Sequence, residues 1–162
     1  MKTIRTTLIA LFAAVAVFSV APSASAATEL PAEPGARVAD VVARQVLAEH
    51  GVGVYSSGKC AERSNRRCTS LDTMLASAVR EVLWLRDNSG CPVLVTGGTE
   101  VGHAKGVRSH YNGFKVDVQA TKCVNAWVKA HTTKIPKSTK RLAPSGAIWW
   151  LEGSHWDVVV PA

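Results

Sequence analysis

Charge is sparse in this sequence: 19% of its 162 residues are Asp, Glu, Lys or Arg, and no segment repeats along the chain. Those two absences exclude collagen, coiled coil and wholesale disorder. No C-x-x-C pair occurs, which argues against a cysteine zinc site. No G-x-S-x-G elbow surrounds Ser154, so a serine hydrolase is not indicated. The basic residues are not interleaved with aromatics, and nucleic acid is not expected as a partner. Beyond Val20 no apolar run reaches the ~20 residues that a bilayer span needs.

What is present starts with a leader. Lys2 and Arg5 precede an apolar run from Leu8 to Val20, and Ala24-Ser25-Ala26 is a small-residue cleavage site. Residues 1–26 are therefore expected to be a secretory signal peptide, leaving no membrane attachment after cleavage. Without Lys2 and Arg5, the 19 basic residues fall to 17 against 12 acidic ones, a net charge of +5. A mildly basic exported protein is suited to an anionic cell envelope. With 47% hydrophobic residues, residues 36–162 suffice for one core, and a monomeric, secreted or wall-associated domain is expected.

Four cysteines in an exported chain read as two disulfides. The expected pairs are Cys60–Cys68, closing a short polar loop, and Cys91–Cys123, joining a strand to a later helix. Residues 27–35, with Pro31, Pro34 and Gly35, read as a flexible leading segment. Val38, Val41, Val42 and Val46 recur at helical spacing and stop at Gly51. Thr69 and Asp72 suggest a capping box opening a central helix, with Leu71, Met74, Leu75, Ala78, Val79, Val82 and Leu85 on its buried stripe. Pro92 to Thr96 reads as a strand, and Gly97 to Ser109 as a long loop of the kind that often carries function. After the Asn112-Gly113 turn, Phe114, Val116 and Val118 alternate with Lys115, Asp117 and Gln119. Cys123 to Thr132 suits a short helix, and Thr133 to Gly146 a basic connection. Ala147 to Glu152 and His155 to Val160 form two β-rich runs around Gly153-Ser154, the spacing of a two-residue type II′ hairpin. Helices first and strands later imply an α+β domain, N-terminal helices packed on a small antiparallel sheet.

Two short stretches carry chemistry: His110 to Asp117 and Glu152 to Asp157. A tight hairpin at Gly153-Ser154 would make Glu152 and His155 cross-strand partners, with Asp157 on the same face. The turn at Asn112-Gly113 lets His110 swing toward the face that carries Asp117. Two imidazoles and one carboxylate are a known catalytic zinc set with a fourth position for water. Taking His110, Asp117 and His155 as ligands leaves Glu152 as the base. Spacing by itself is more often met by a surface hydrogen bond between a His and an Asp.

The pattern His110-x-x-Gly113-x-x-x-Asp117, followed by Glu152-x-x-His155-Trp156, resembles the signature of the zinc D-alanyl-D-alanine carboxypeptidase family. Phage endolysin peptidases and the hedgehog signalling domain belong to the same superfamily. The resemblance runs from Val93 to Val160. It implies a hedgehog-like fold and a Zn2+ peptidase acting on peptidoglycan stem peptides or cross-links, with His110, Asp117 and His155 on the metal and Glu152 activating water. Three positions depart from the family: Arg108 stands where it has Ser, Lys115 replaces a small residue, and Thr96 to Glu100 lacks its substrate-binding Arg. Arg108 is the cation expected to replace that Arg at the substrate. A non-catalytic zinc protein that binds the envelope is the alternative, and an interaction protein without metal a third. Around the site, Asp157 suits either a hydrogen bond to a ligating imidazole or a pair with a surface cation. His103 is placed in the pocket or as an ordinary loop residue, and Trp156 in a groove or in the core.

Overall fold

The computed structural model describes residues 29–161; the expected signal peptide lies outside them. The chain forms, in order, β1 (Arg37–Val38), α1 (Asp40–Glu49), β2 (Gly53–Val54), β3 (Met74–Leu75), α2 (Ala76–Ser89), β4 (Leu94–Gly97), β5 (Lys115–Gln119), α3 (Lys122–His131), β6 (Thr133–Lys134), β7 (Lys140–Leu142), β8 (Ile148–Glu152) and β9 (His155–Val159). Among the described residues this is a mixed α/β architecture with three helices and a mostly antiparallel sheet. Seven strands pair in the order β2-β4-β5-β9-β8-β7-β6, and only the β2–β4 pairing is parallel. β1 and β3 form a separate short ribbon.

The strand alternation sorts the sheet into two faces. Val116, Val118, Trp156, Val158 and Trp149 are buried on one face with Val79, Val82 and Leu85 of α2, making the core. Trp84, Trp127, Trp149 and Trp156 meet edge to face along this layer, with centroids 4.8 to 6.5 Å apart. Trp156 is therefore a core residue and lines no groove; its Nε1 donates to Asn125 Oδ1 at 2.8 Å. The opposite face carries Lys115, Asp117 and Gln119 of β5 beside Val159, Asp157 and His155 of β9.

Several boundaries differ from expectation. The central helix begins at Ala76, with Leu75 as an extended N-cap, so Thr69 caps nothing; its hydroxyl donates to Thr96 O at 3.3 Å. Leu71, Met74 and Leu75 are buried as foreseen, but from the turn and strand that lead into α2. In α1 the inward residues are Ala43, Val46 and Leu47, while Val41 is 69% exposed, because Val38 belongs to β1 and the helix is rotated. The basic connection after α3 adds β6 and β7 to the sheet. The described part of the leading segment is docked rather than free: Leu30 packs on the core, Ser77 N donates to Pro34 O at 3.1 Å, and Arg80 bonds Pro31 O.

Both disulfides form as expected, Cys60–Cys68 and Cys91–Cys123. They point to an oxidising environment. Among the described residues no helix is long and apolar enough to cross a membrane.

Candidate metal centre

The site lies on the polar face of the sheet, where the central strands β5 and β9 meet. Asp117 sits in the middle of β5, opposite Asp157 of β9 and beside Gly97 of β4. Gly97 is required there: a Cβ would collide with the Asp117 carboxylate. The β8–β9 hairpin has Gly153 at φ 61° and sets Glu152 directly opposite His155, the cross-strand relation that the Gly-Ser spacing predicts. The loop between β4 and β5 folds over this face and brings His103 and His110 down onto Asp117.

His110 is 4% exposed and donates from Nδ1 to Gly98 O at 2.8 Å. That bond fixes the tautomer and leaves the Nε2 lone pair aimed at Asp117 Oδ1, 3.2 Å away. His155 Nε2 lies 3.7 Å from the same oxygen and 3.8 Å from Glu152 Oε2. His103 stacks on His110 with centroids 3.9 Å apart, and its Nδ1 is 3.8 Å from Asp117 Oδ2. Candidate ligand atoms of His103, His110 and Asp117 all fall within 4.8 Å of one another, a group that could hold a metal ion. Of the expected ligands, His110 and Asp117 belong to this group and His155 does not, although its Nε2 approaches Asp117 Oδ1; the third member is His103.

Two buried oxygens, Asp117 Oδ1 and Asp157 Oδ1, have no hydrogen-bond donor. A buried carboxylate oxygen without a donor, facing imidazole lone pairs, is unfavourable unless a cation lies between them. Metal–ligand bonds of ~2.0–2.1 Å in a tetrahedron separate neighbouring ligand atoms by roughly 3.3 Å. The 3.2 Å from His110 Nε2 to Asp117 Oδ1 matches that spacing, and the donors of His103, His110 and Asp117 suit a divalent ion.

The electrostatics agree. Burial pushes the Asp117 carboxyl up, but its contact with His110 and its electrostatic interaction with the imidazoles of His110, His155 and His103 outweigh it and hold the group below its ordinary value. Glu100 is also buried. Burial raises it, yet hydrogen bonds from His103 and from the amides of Ser70, Glu100 and Gly98 together bring it below the usual range. His103 is shifted upward, first by its bond to Glu100 and, against desolvation, by the charges of Asp117, Glu100 and Asp157.

Of the two roles expected for Asp157, the structure forms the pair with a cation, and no hydrogen bond joins it to the His110 imidazole. Lys115 Nζ sits 2.5 Å from its Oδ2, while its Oδ1 is 3.9 Å from His110 Nε2. Lys115 thus neutralises Asp157 beside the cluster. Arg108 is exposed and does not line the groove over the cluster. The cations that do are Arg66 and Arg67, in the loop closed by Cys60–Cys68; the groove, about 610 Å³, also takes in His103, Asp117, Gln119 and His155. Glu100 and the two arginines were not legible as site residues. The three-residue spacing from Glu100 to His103 was the available signal for the first. The arginines come from a segment far from either motif, and only the fold brings them near.

No known protein family, characterised protein or solved structure matches the chain.

Proposed function

We propose that this protein is a secreted zinc metallopeptidase of the hedgehog-like, D-alanyl-D-alanine carboxypeptidase type, hydrolysing a peptide bond in peptidoglycan stem peptides or cross-links. The observation that carries this reading is the unpartnered, buried Asp117 Oδ1, with the Nε2 atoms of His110 and His155 at 3.2 and 3.7 Å. His110, Asp117 and His155 would hold Zn2+, which when bound acts as a Lewis acid and brings the pKa of a water to near 7. The chain's own groups do the rest. Gly98 O fixes His110, and Lys115 with Asp157 keeps the flank of the site neutral. Glu152, partly exposed at the end of β8 and facing His155, takes a proton from the attacking water and returns it to the leaving amine. Arg66 and Arg67 offer positive charge to the substrate from the groove wall.

The test is Glu152→Gln. The variant should bind one zinc per molecule, as the wild type does, and lose at least about 100-fold in the rate of peptide release from purified peptidoglycan, followed by mass spectrometry. Activity that survives the substitution removes Glu152 as the base. A wild type that binds zinc and releases nothing leaves the non-catalytic envelope-binding alternative.

A further inference from the structure

We propose that His103 is a fourth protein ligand of the metal, binding through Nδ1 while Glu100 holds its Nε2–H, so that the β4–β5 loop caps the ion. This rests on the metal-binding part of the function proposed above and adds a regulatory element to it.

The orientation of His103 carries the proposal. Its Nε2 is 3.0 Å from Glu100 Oε1. Glu100 is a carboxylate buried to 4% exposure, anchored by Ser70 N at 2.8 Å and Gly98 N at 3.1 Å. An acceptor held so firmly takes the hydrogen on Nε2 and turns the Nδ1 lone pair to the other side of the ring. That side faces Asp117 Oδ2 at 3.8 Å. Carboxylate–imidazole–metal relays are built this way: the outer carboxylate fixes the tautomer and the inner nitrogen binds. His110 follows the same design, with Gly98 O in place of the carboxylate. The two rings stack, and they approach the two oxygens of the same carboxylate, His110 at Oδ1 and His103 at Oδ2.

Counting His103, His110, His155 and Asp117, the centre offers three nitrogens and one oxygen, a set suited to Zn2+ or Co2+. Four protein side chains fill a tetrahedron and leave no position for water. For hydrolysis, His103 must yield its place or the ion must accept a fifth ligand. His103 is the ligand placed to yield: it is part-exposed on a loop, lining both the metal groove and the neighbouring cavity of Tyr111 and Asn112. Peptide entering that cavity would meet His103 before the metal.

X-ray absorption on the full mature chain loaded with Zn2+ alone, with no peptide present, tests this directly. The expected fit is three imidazoles per zinc, falling to two in His103→Ala, with the zinc dissociation constant of the variant raised at least tenfold. Glu100→Gln should keep three imidazoles and weaken zinc by a smaller factor. Two imidazoles in the wild type, or an unchanged dissociation constant in His103→Ala, overturns the proposal. The wild-type count decides even if a variant misfolds. Three imidazoles in a protein that cleaves nothing would uphold the cap and sink the peptidase; two imidazoles in an active enzyme would do the reverse.

Discussion

Gly97 shows how much of the site depends on a side chain that is missing. Its place beside Asp117 on the neighbouring strand leaves no room for even one methyl group. Gly97→Ala should shift the Asp117 carboxylate and weaken zinc roughly tenfold or more, as loss of supporting contacts does at metal sites. Circular dichroism of the metal-free variant should match the wild type. In the sequence, His110, Asp117, Glu152 and His155 stand out because chemistry-bearing residues recur at short intervals around turn signals. His103 was visible only as one of two options, since its partner Glu100 gains meaning once it is buried. Arg108 attracted attention by lying two residues before His110, but it is exposed on the loop and is not among the residues that line the groove.

At the level of elements, the hydrophobic stripe of α2 was read correctly as core, while its start was placed too early. Leu71 and Met74 are as apolar as helical core residues, and burial in a turn looks the same in sequence as burial in a helix. β6 and β7 were missed because strands of two and three residues, rich in Lys and Arg, carry no alternation to detect. α2 also presents an acid to the interior. Glu81 is 3% exposed and accepts from Trp149 Nε1 at 2.8 Å. Burial raises its pKa above the ordinary 4.5, against the lowering effect of bonds from Ser145 and Trp149. A raised value means that the fold prefers the protonated form. The stability this gives is full below pH 4.5 and drains as pH climbs through the folded pKa. Glu81→Gln keeps an acceptor for Trp149 and cannot ionise. Denaturant titrations should therefore show the variant gaining on the wild type as pH rises from 4 to 8, with the two nearly equal at the acid end.

Across the whole molecule, the two disulfides serve different parts. Cys91–Cys123 spans 32 residues and ties the start of the central strands to α3. Cys60–Cys68 spans only 8, but its loop holds Arg63, whose guanidinium bonds Thr99 O and Tyr111 O and lies 4.0 Å over the Tyr111 ring. Val101 N donates back to Arg63 O at 2.8 Å. Replacing Cys91 and Cys123 by Ala should cost about 3–4 kcal/mol of unfolding free energy on chain-entropy grounds, and replacing Cys60 and Cys68 about 2–3 kcal/mol. Zinc affinity, measured by competition with a chelating dye, should drop mainly in the second case, because that loop braces the one bearing His103 and His110.

The sorting of side chains on β5 and β9 follows parity: even-numbered residues go to the helices and odd-numbered ones to the groove. Deleting a single residue inside either strand would invert that order from the break onward, sending carboxylates inward and tryptophan or valine outward. Loops of this protein can lengthen or shrink over evolutionary time, whereas these two strands are frozen in frame. Any descendant that keeps the chemistry must also keep their residue count.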